Sequence, residues 1–460
     1  MRNTRLQKKT IIEFLFMVFG ILSFAAFAEE LSDPFYLQPA LDLSQKIQDR
    51  HLPFDTITDP VFESPESEVV ANPIAHYGDS AIWTGHYLAA ESYRFAVTGD
   101  AEALDNARRV LGGIHRLINV GGAGLLARFA LPLESPWADR VSCRRSSLIP
   151  PGICTNPDCR YQDTFEEVAY VYTDNVSRDQ YLGVVFGLAV AYELLPDEST
   201  RSLIRQDMAS IIDYLESHNW NVAYRDRCIS TTFVIRPEQI LSILQIGKLV
   251  WPERFSDTYE RNARNLSSLV SVPIVTELVD RHNSYFKFNL DHIALFHLVR
   301  LESNPVWYDR YFSAFRLLRD GLREHQNAHF NAMEIGVTGE IAGPLVSDTK
   351  DFLRLWLQRP RRNVLVVNSP RCAQDLRCVR DSSSREWRAA DPLPIPQRPT
   401  TDFLWQRSPF QLDGGGDGRT EEAGVDYVLP YWMLRYYLEV VTPASLQDKV
   451  DRIDRGCSAE

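Results

Sequence analysis

Three aspartates sit where types and spacing could do chemistry: Asp79 just before one apolar run, Asp179 opening another, and Asp174 shortly upstream of it. Two carboxylates facing one sugar act as general acid and general base or nucleophile on a glycosidic bond. Helix capping competes for both, because aspartate before a first turn is favoured by the unpaired N–H groups and the dipole there. Trp83, Trp405 and Trp432, with Tyr77, Tyr181 and Tyr427, are candidates for stacking on sugar rings. Trp83 and Trp432 lie inside apolar stretches, where core packing is the commoner role. Trp405 lies in a loop beside Asp402, Gln406 and Arg407, a mixture that suits binding. His86 and Gln180, neighbours of Trp83 and Asp179, complete the candidate set.

Arg128, Arg178 and Arg407 could grip a carboxylate with paired N–H donors, which would make an acidic sugar the ligand class. Structural ion pairing is the commoner fate of such residues. The stretch from Gln326 to Asn331 adds amides and His329, and His329 with Tyr285 and Arg407 would supply the proton-abstracting and carboxylate-neutralising groups of a lyase. A lone loop histidine is more often only hydrogen-bonded. Metal signals are weak. No HExxH occurs, and the acidic, Gly-rich run from Asp413 to Glu422 departs from EF-hand spacing, so it reads as a lid. No GxxxxGK[ST] phosphate loop occurs either, and neither a metal nor a cofactor is expected.

These residues need helices to position them. From Ala81 to Val97 apolar residues fall on almost every face, the pattern of a helix buried all round. After the Thr98-Gly99-Asp100 turn, Leu104, Ala107, Leu111, Ile114 and Ile118 recur at three- and four-residue intervals, so the second arm is amphipathic. The same hairpin plan repeats at 179–217, 237–270 and 286–325. A fifth copy is incomplete, with 350–358 as its one visible arm, and a sixth runs from Tyr427 through a turn at Pro443 to about Ile453. Turns within hairpins are short and the return connections long, so the long loops gather on one rim. The expected fold is all-α, an (α/α)6-type toroid over 73–460, with insertions at about 121–176 and 359–426 and an N-terminal segment over 29–72.

The blocks DSAIWTGHYLAAESYRFAVTGD and SRDQYLGVVFGL, set in this plan, resemble the six-hairpin glycosidase-like superfamily. That superfamily includes unsaturated glucuronyl hydrolases, sugar 2-epimerases and helical domains of polysaccharide lyases. The resemblance implies a carbohydrate-active enzyme with Asp79 and Asp179 as a carboxylate pair on successive inner helices. A glycoside hydrolase acting on an oligosaccharide is the leading reading. A lyase for uronate-containing polysaccharides is the first alternative, and a non-catalytic glycan-binding or envelope-assembly protein is the second.

Residues 1–28 read as a signal peptide: four basic residues, an apolar run, then Ala26-Phe27-Ala28. No later segment is expected to span a membrane. The net charge of −12 argues against a nucleic-acid partner. Seven cysteines suit an oxidising compartment, secreted or periplasmic. Their spacing suggests the local pairs Cys154–Cys159 and Cys372–Cys378 and leaves one cysteine over.

Overall fold

The computed structural model describes residues 31–143, 158–226, 228–282, 285–340, 343–381, 384–399 and 403–441. Helix α1 (Pro34–Lys46) comes first, opened by Asp33, whose side chain accepts from Phe35 N. Hairpins follow: α2 (Ser80–Thr98) with α3 (Ala101–Asn119), α4 (Arg178–Leu194) with α5 (Glu198–Ser217), and α6 (Pro237–Val250) with α7 (Pro252–Leu266). A short α8 (Ser271–Val279) leads into α9 (Phe286–Leu301) and α10 (Pro305–Leu322), then α11 (Ala328–Thr338) with α12 (Pro344–Trp356), and finally α13 (Val425–Glu439).

Helices α2, α4, α6, α9, α11 and α13 are buried along most of their length, as all-round apolar composition requires. Each packs on the next in chain order, and α13 returns to α2. The amphipathic members keep one face in solvent, with Glu102, Asp105 and Arg108 on α3 exposed while Leu111 and Ile114 are buried. Helix α1 packs on α13, where Tyr427 Oη donates to the carbonyl of Tyr36 at 2.9 Å.

The closest approach in the circuit is between α2 and α4. A Cβ on Gly85 would stand 2.0 Å from the Gly183 carbonyl oxygen, and one on Gly187 would stand 2.2 Å from that of Gly85. A Cβ on Gly183 would meet Ile82 Cγ1 at 2.5 Å. Three glycines therefore let two backbones touch where any side chain would hold them apart.

The all-α expectation holds only in part, because the return connections carry small antiparallel sheets. Strands β1 (Asp59–Phe62) and β2 (Val70–His76) precede the first hairpin. β3 (Phe129–Pro132), β4 (Arg160–Phe165) and β5 (Val168–Thr173) form one sheet in the order β3-β5-β4, and β6 (Asn221–Ala223) pairs with β7 (Ile229–Thr232). The last long connection supplies β8 (Arg362–Val367), β9 (Cys378–Arg380), β10 (Trp387–Ala389) and β11 (Asp413–Glu421). Strand β11 completes a four-stranded sheet, β2-β1-β11-β8, which ties that connection to the start of the chain. The physical reason is composition: Tyr170 to Thr173 and Val364 to Val367 are rich in β-branched and aromatic residues, and their backbone groups pair with neighbouring strands, β3 and β4 for the first and β11 for the second. The run from Asp413 to Glu421 is accordingly a strand rather than a lid.

Two hairpins also differ from expectation. The inner arm of the fifth is α11, which begins inside the amide-rich stretch read as a loop; Asn327 caps it by accepting from Phe330 N at 3.3 Å. The expected return arm of the sixth lies outside the described residues, and α1, like α12, packs on α13. Cys372–Cys378 is bonded as expected, but Cys159 pairs with Cys143 rather than Cys154. Cys143–Cys159 closes across the edge of the β3-β5-β4 sheet, where β4 brings the two thiols to a Cα separation of 5.3 Å.

Gly183→Ala should cost at least about 1–3 kcal/mol of unfolding free energy by overpacking. Gly112→Ala, on the exposed face of α3 with nothing within 4 Å of its Cβ position, should be neutral or stabilising. Urea denaturation of both variants checks this, and equal effects would contradict the close-contact account.

Candidate functional site

A cavity of about 610 Å3 opens at the N-terminal end of α2. Residues 57–59 and 72–78 form one wall, Arg128, Arg140, Ser142 and Asn175 another, and Asn363, Arg407 and Thr420 close the far side. Asp79 and Trp83 enter it from α2. Asp79 occupies the N-cap position, yet its side chain caps no backbone N–H. Its Oδ1 instead lies 3.3 Å from Arg128 Nη2 and 3.3 Å from Gln180 Nε2. The other end of the Gln180 amide accepts from Ile82 N at 3.0 Å, so one side chain from α4 takes over the cap of α2 and also holds Asp79. Arg128 is fixed in turn by the carbonyls of Gly78 and Asn175.

The insertion before β4 shapes the rest. Tyr77 stacks on Phe129 with ring centroids 4.7 Å apart, and its hydroxyl accepts from Ser142 N at 2.8 Å. The Cys143–Cys159 disulfide follows directly. Arg140 lies over the Trp137 ring at 4.9 Å and makes no ion pair among the described residues.

Below the cavity the ring is closed by the 403–407 segment. Phe403 stacks on Trp83, Leu404 N donates to Asp426 Oδ2 at 3.0 Å, and the Trp405 carbonyl accepts from Asn327 Nδ2 at 2.8 Å. Trp405 packs on His329 with centroids 4.4 Å apart, and His86 lies 5.6 Å from His329. Trp405 is thus 1% exposed rather than an open platform, because its loop folds into the mouth of the ring. His329 is correspondingly a buried residue of α11 rather than a rim residue. Burial draws the His86 imidazole down to about 4 and His329 well below its ordinary value, so both are neutral at pH 7.

The remaining candidates disperse. Asp179 begins α4 but does not line the cavity. Asp174 is buried and accepts from Arg225 N at 2.8 Å. Tyr427, Tyr181 and Trp432 are core residues, and Asp402 lies outside the described residues. Tyr285 bonds to His325 at 3.0 Å, and neither Tyr285 nor His329 is among the residues that line the cavity with Arg407. Arg140, His76, Asn363 and Thr420 were not singled out from sequence. For His76, Asn363 and Thr420 the signal would have been the strand pairing of β1, β2, β8 and β11, which crosses about 300 residues of chain and leaves no local pattern.

A second polar cluster lies at the start of α6. Arg236 forms an ion pair with Glu277 and stands 4.0 Å from Glu238. Burial pushes Glu238 up to about 7. Burial first, and then the Glu277 charge, raises Asp291 well above the carboxylate range. Arg178 adjoins the cluster, its guanidinium pKa lowered by burial and then by Arg236.

No family model and no curated protein matches the chain. Among solved structures, a sugar epimerase from a ruminal bacterium aligns over 88% of this chain and 99% of that one, with 8% identity and a TM-score of 0.37. A likeness that distant carries no argument.

The acid cluster makes stability pH-dependent with a defined sign. A carboxyl whose folded pKa is raised binds its proton more tightly in the native state, so its stabilisation is complete below the unfolded value of 4.5 and is lost as pH rises through about 7. Thermal melts from pH 4.5 to 8 should show wild type losing stability relative to Glu238→Gln across that window. Parallel curves would contradict it.

Proposed function

We propose that the protein is an extracytoplasmic carbohydrate-active enzyme that hydrolyses a glycosidic bond in the cavity at the start of α2, on an (α/α)6-type toroid of the six-hairpin glycosidase-like kind. The observation that carries this reading is Asp79, a carboxylate at a helix start that caps nothing and is held by Arg128 and Gln180 in an open polar cavity. The closed circuit of buried helices supports the toroid, and the disulfides Cys143–Cys159 and Cys372–Cys378 support an oxidising compartment.

In this reading the sugar enters between the β1–β2 wall and Arg140, with Trp83 at the base. Asp79, its charge opposed by Arg128, takes the base or nucleophile role, and Asp179 is its acid partner. Asp179 precedes Gln180, the residue that bonds Asp79, so the two carboxylates belong to adjoining helix starts. Elimination is the second reading. It is favoured by the company of Arg128, Arg140 and Arg407 with His76 and Tyr77 in one cavity, where guanidinium groups would face a uronate.

Incubation with a panel of neutral and uronate-containing oligosaccharides tests both. Hydrolysis releases reducing ends alone, whereas elimination adds absorbance near ~235 nm. Asp79→Asn and Asp179→Asn should each lower turnover about 100-fold with the fold intact. Full activity in Asp79→Asn would end the hydrolase reading, and full activity in Asp179→Asn would end the pair. Glycan binding with no turnover in wild type would leave a binding protein.

A further inference from the structure

The connection between α7 and α9 carries Val279, the most exposed of the large hydrophobic side chains among the described residues. Helix α8 turns Pro273, Ile274 and Glu277 inward and presents Val272, Val275 and Val279 outward, at spacings of three and four that line one helical face. Val279 is 85% exposed, the value of a side chain standing clear of the surface. The Arg236–Glu277 ion pair joins the start of α6 to α8, and the two residues before Arg236, Val234 and Ile235, are exposed as well, Ile235 at 72%. A monomer gains nothing by holding so many aliphatic side chains in water.

Two cations border the patch. Arg281 lies over the Phe410 ring at 5.8 Å, and Lys287 donates to the Asp280 carbonyl at 3.0 Å. Neither makes an ion pair among the described residues, although acidic residues outnumber basic ones, 61 to 49. Glu277 is buried with Arg236, which leaves Asp280 as the carboxylate of this segment that reaches solvent.

We propose that this face is a docking surface for an anionic lipid bilayer, with α8 and the Val234–Ile235 tip seated among the headgroups and Arg281 and Lys287 against lipid phosphates. Charge complementarity selects the occupant: basic side chains without carboxylate partners flank aliphatic ones in an acidic protein. Shape agrees. The exposed side chains of α8 are aliphatic, Val279 standing 85% in solvent, whereas protein interfaces are enriched in aromatic residues and need a matching partner surface. A fluid bilayer needs none.

Sedimentation of the full chain with phosphatidylcholine vesicles, with and without phosphatidylglycerol, tests the proposal. Binding is expected with phosphatidylglycerol and not without it, and it should weaken as salt rises from ~0.1 to ~1 M. The double variant Val275→Glu/Val279→Glu should lower the bound fraction at least about tenfold. Arg281→Glu/Lys287→Glu should do so while leaving the aliphatic face intact. All four positions are exposed or half-buried, so circular dichroism should be unchanged. Absence of sedimentation with phosphatidylglycerol overturns the proposal, as does wild-type binding by both double variants. A dimer in light scattering that the valine variant dissociates, without vesicle binding, would assign the face to a second copy instead. None of these readouts depends on glycan turnover.

Discussion

The backbone contact between α2 and α4 is the constraint from which the site geometry follows. Gly85, Gly183 and Gly187 remove every Cβ from the crossing, so the two helices approach until carbonyl oxygens and Cα atoms meet. At that separation the first turn of α4 lies against the first turn of α2. Gln180 can then satisfy Ile82 N with one end of its amide and hold Asp79 with the other. A wider spacing would return Asp79 to ordinary capping, because the unpaired N–H groups of α2 would again need a local acceptor.

The interior of the ring is polar for a chain whose inner helices read as apolar. His86, His329, Asn289 and Gln406 sit among Trp83, Trp405 and Phe186, and among the described residues neither ring nitrogen of His329 has a hydrogen-bond partner. Burial keeps the histidines uncharged, which lowers the cost of enclosing them, and the 403–407 segment keeps water away. The cluster of Arg178, Arg236, Glu238, Glu277 and Asp291 solves the same problem differently, by setting Arg236 against Glu277 and Glu238 and raising the pKa of Asp291.

What could be read from the chain follows the range of the interactions involved. The hairpins at α2–α3, α4–α5, α6–α7 and α9–α10 are local and strongly periodic, so their patterns announce them within a few residues of their ends. Helix α11 escaped because it begins with Ala328-His329-Phe330-Asn331, residues that read as loop until the ring that buries them is known. Asp79, Arg128 and Arg407 were legible as rim residues, and all three line the cavity. Asp79 with Asp179 was read as a facing pair from helix order alone, which says nothing of how far each carboxylate leans into an opening. The small sheets were mostly illegible, since β1 meets β11 across nearly the whole chain and no periodicity in either stretch identifies the other. Trp405 was misread for a related reason: its loop is polar by composition and buried by topology.

The central claim is that the opening beside Asp79 is where a glycan binds. Electron density from crystals of the Asp79→Asn protein soaked with oligosaccharides tests it without relying on turnover. The account predicts a sugar ring between Arg128 and Arg140, within hydrogen-bond reach of the residue at 79. Sugar density confined to another part of the molecule, with this cavity holding only solvent, would contradict it.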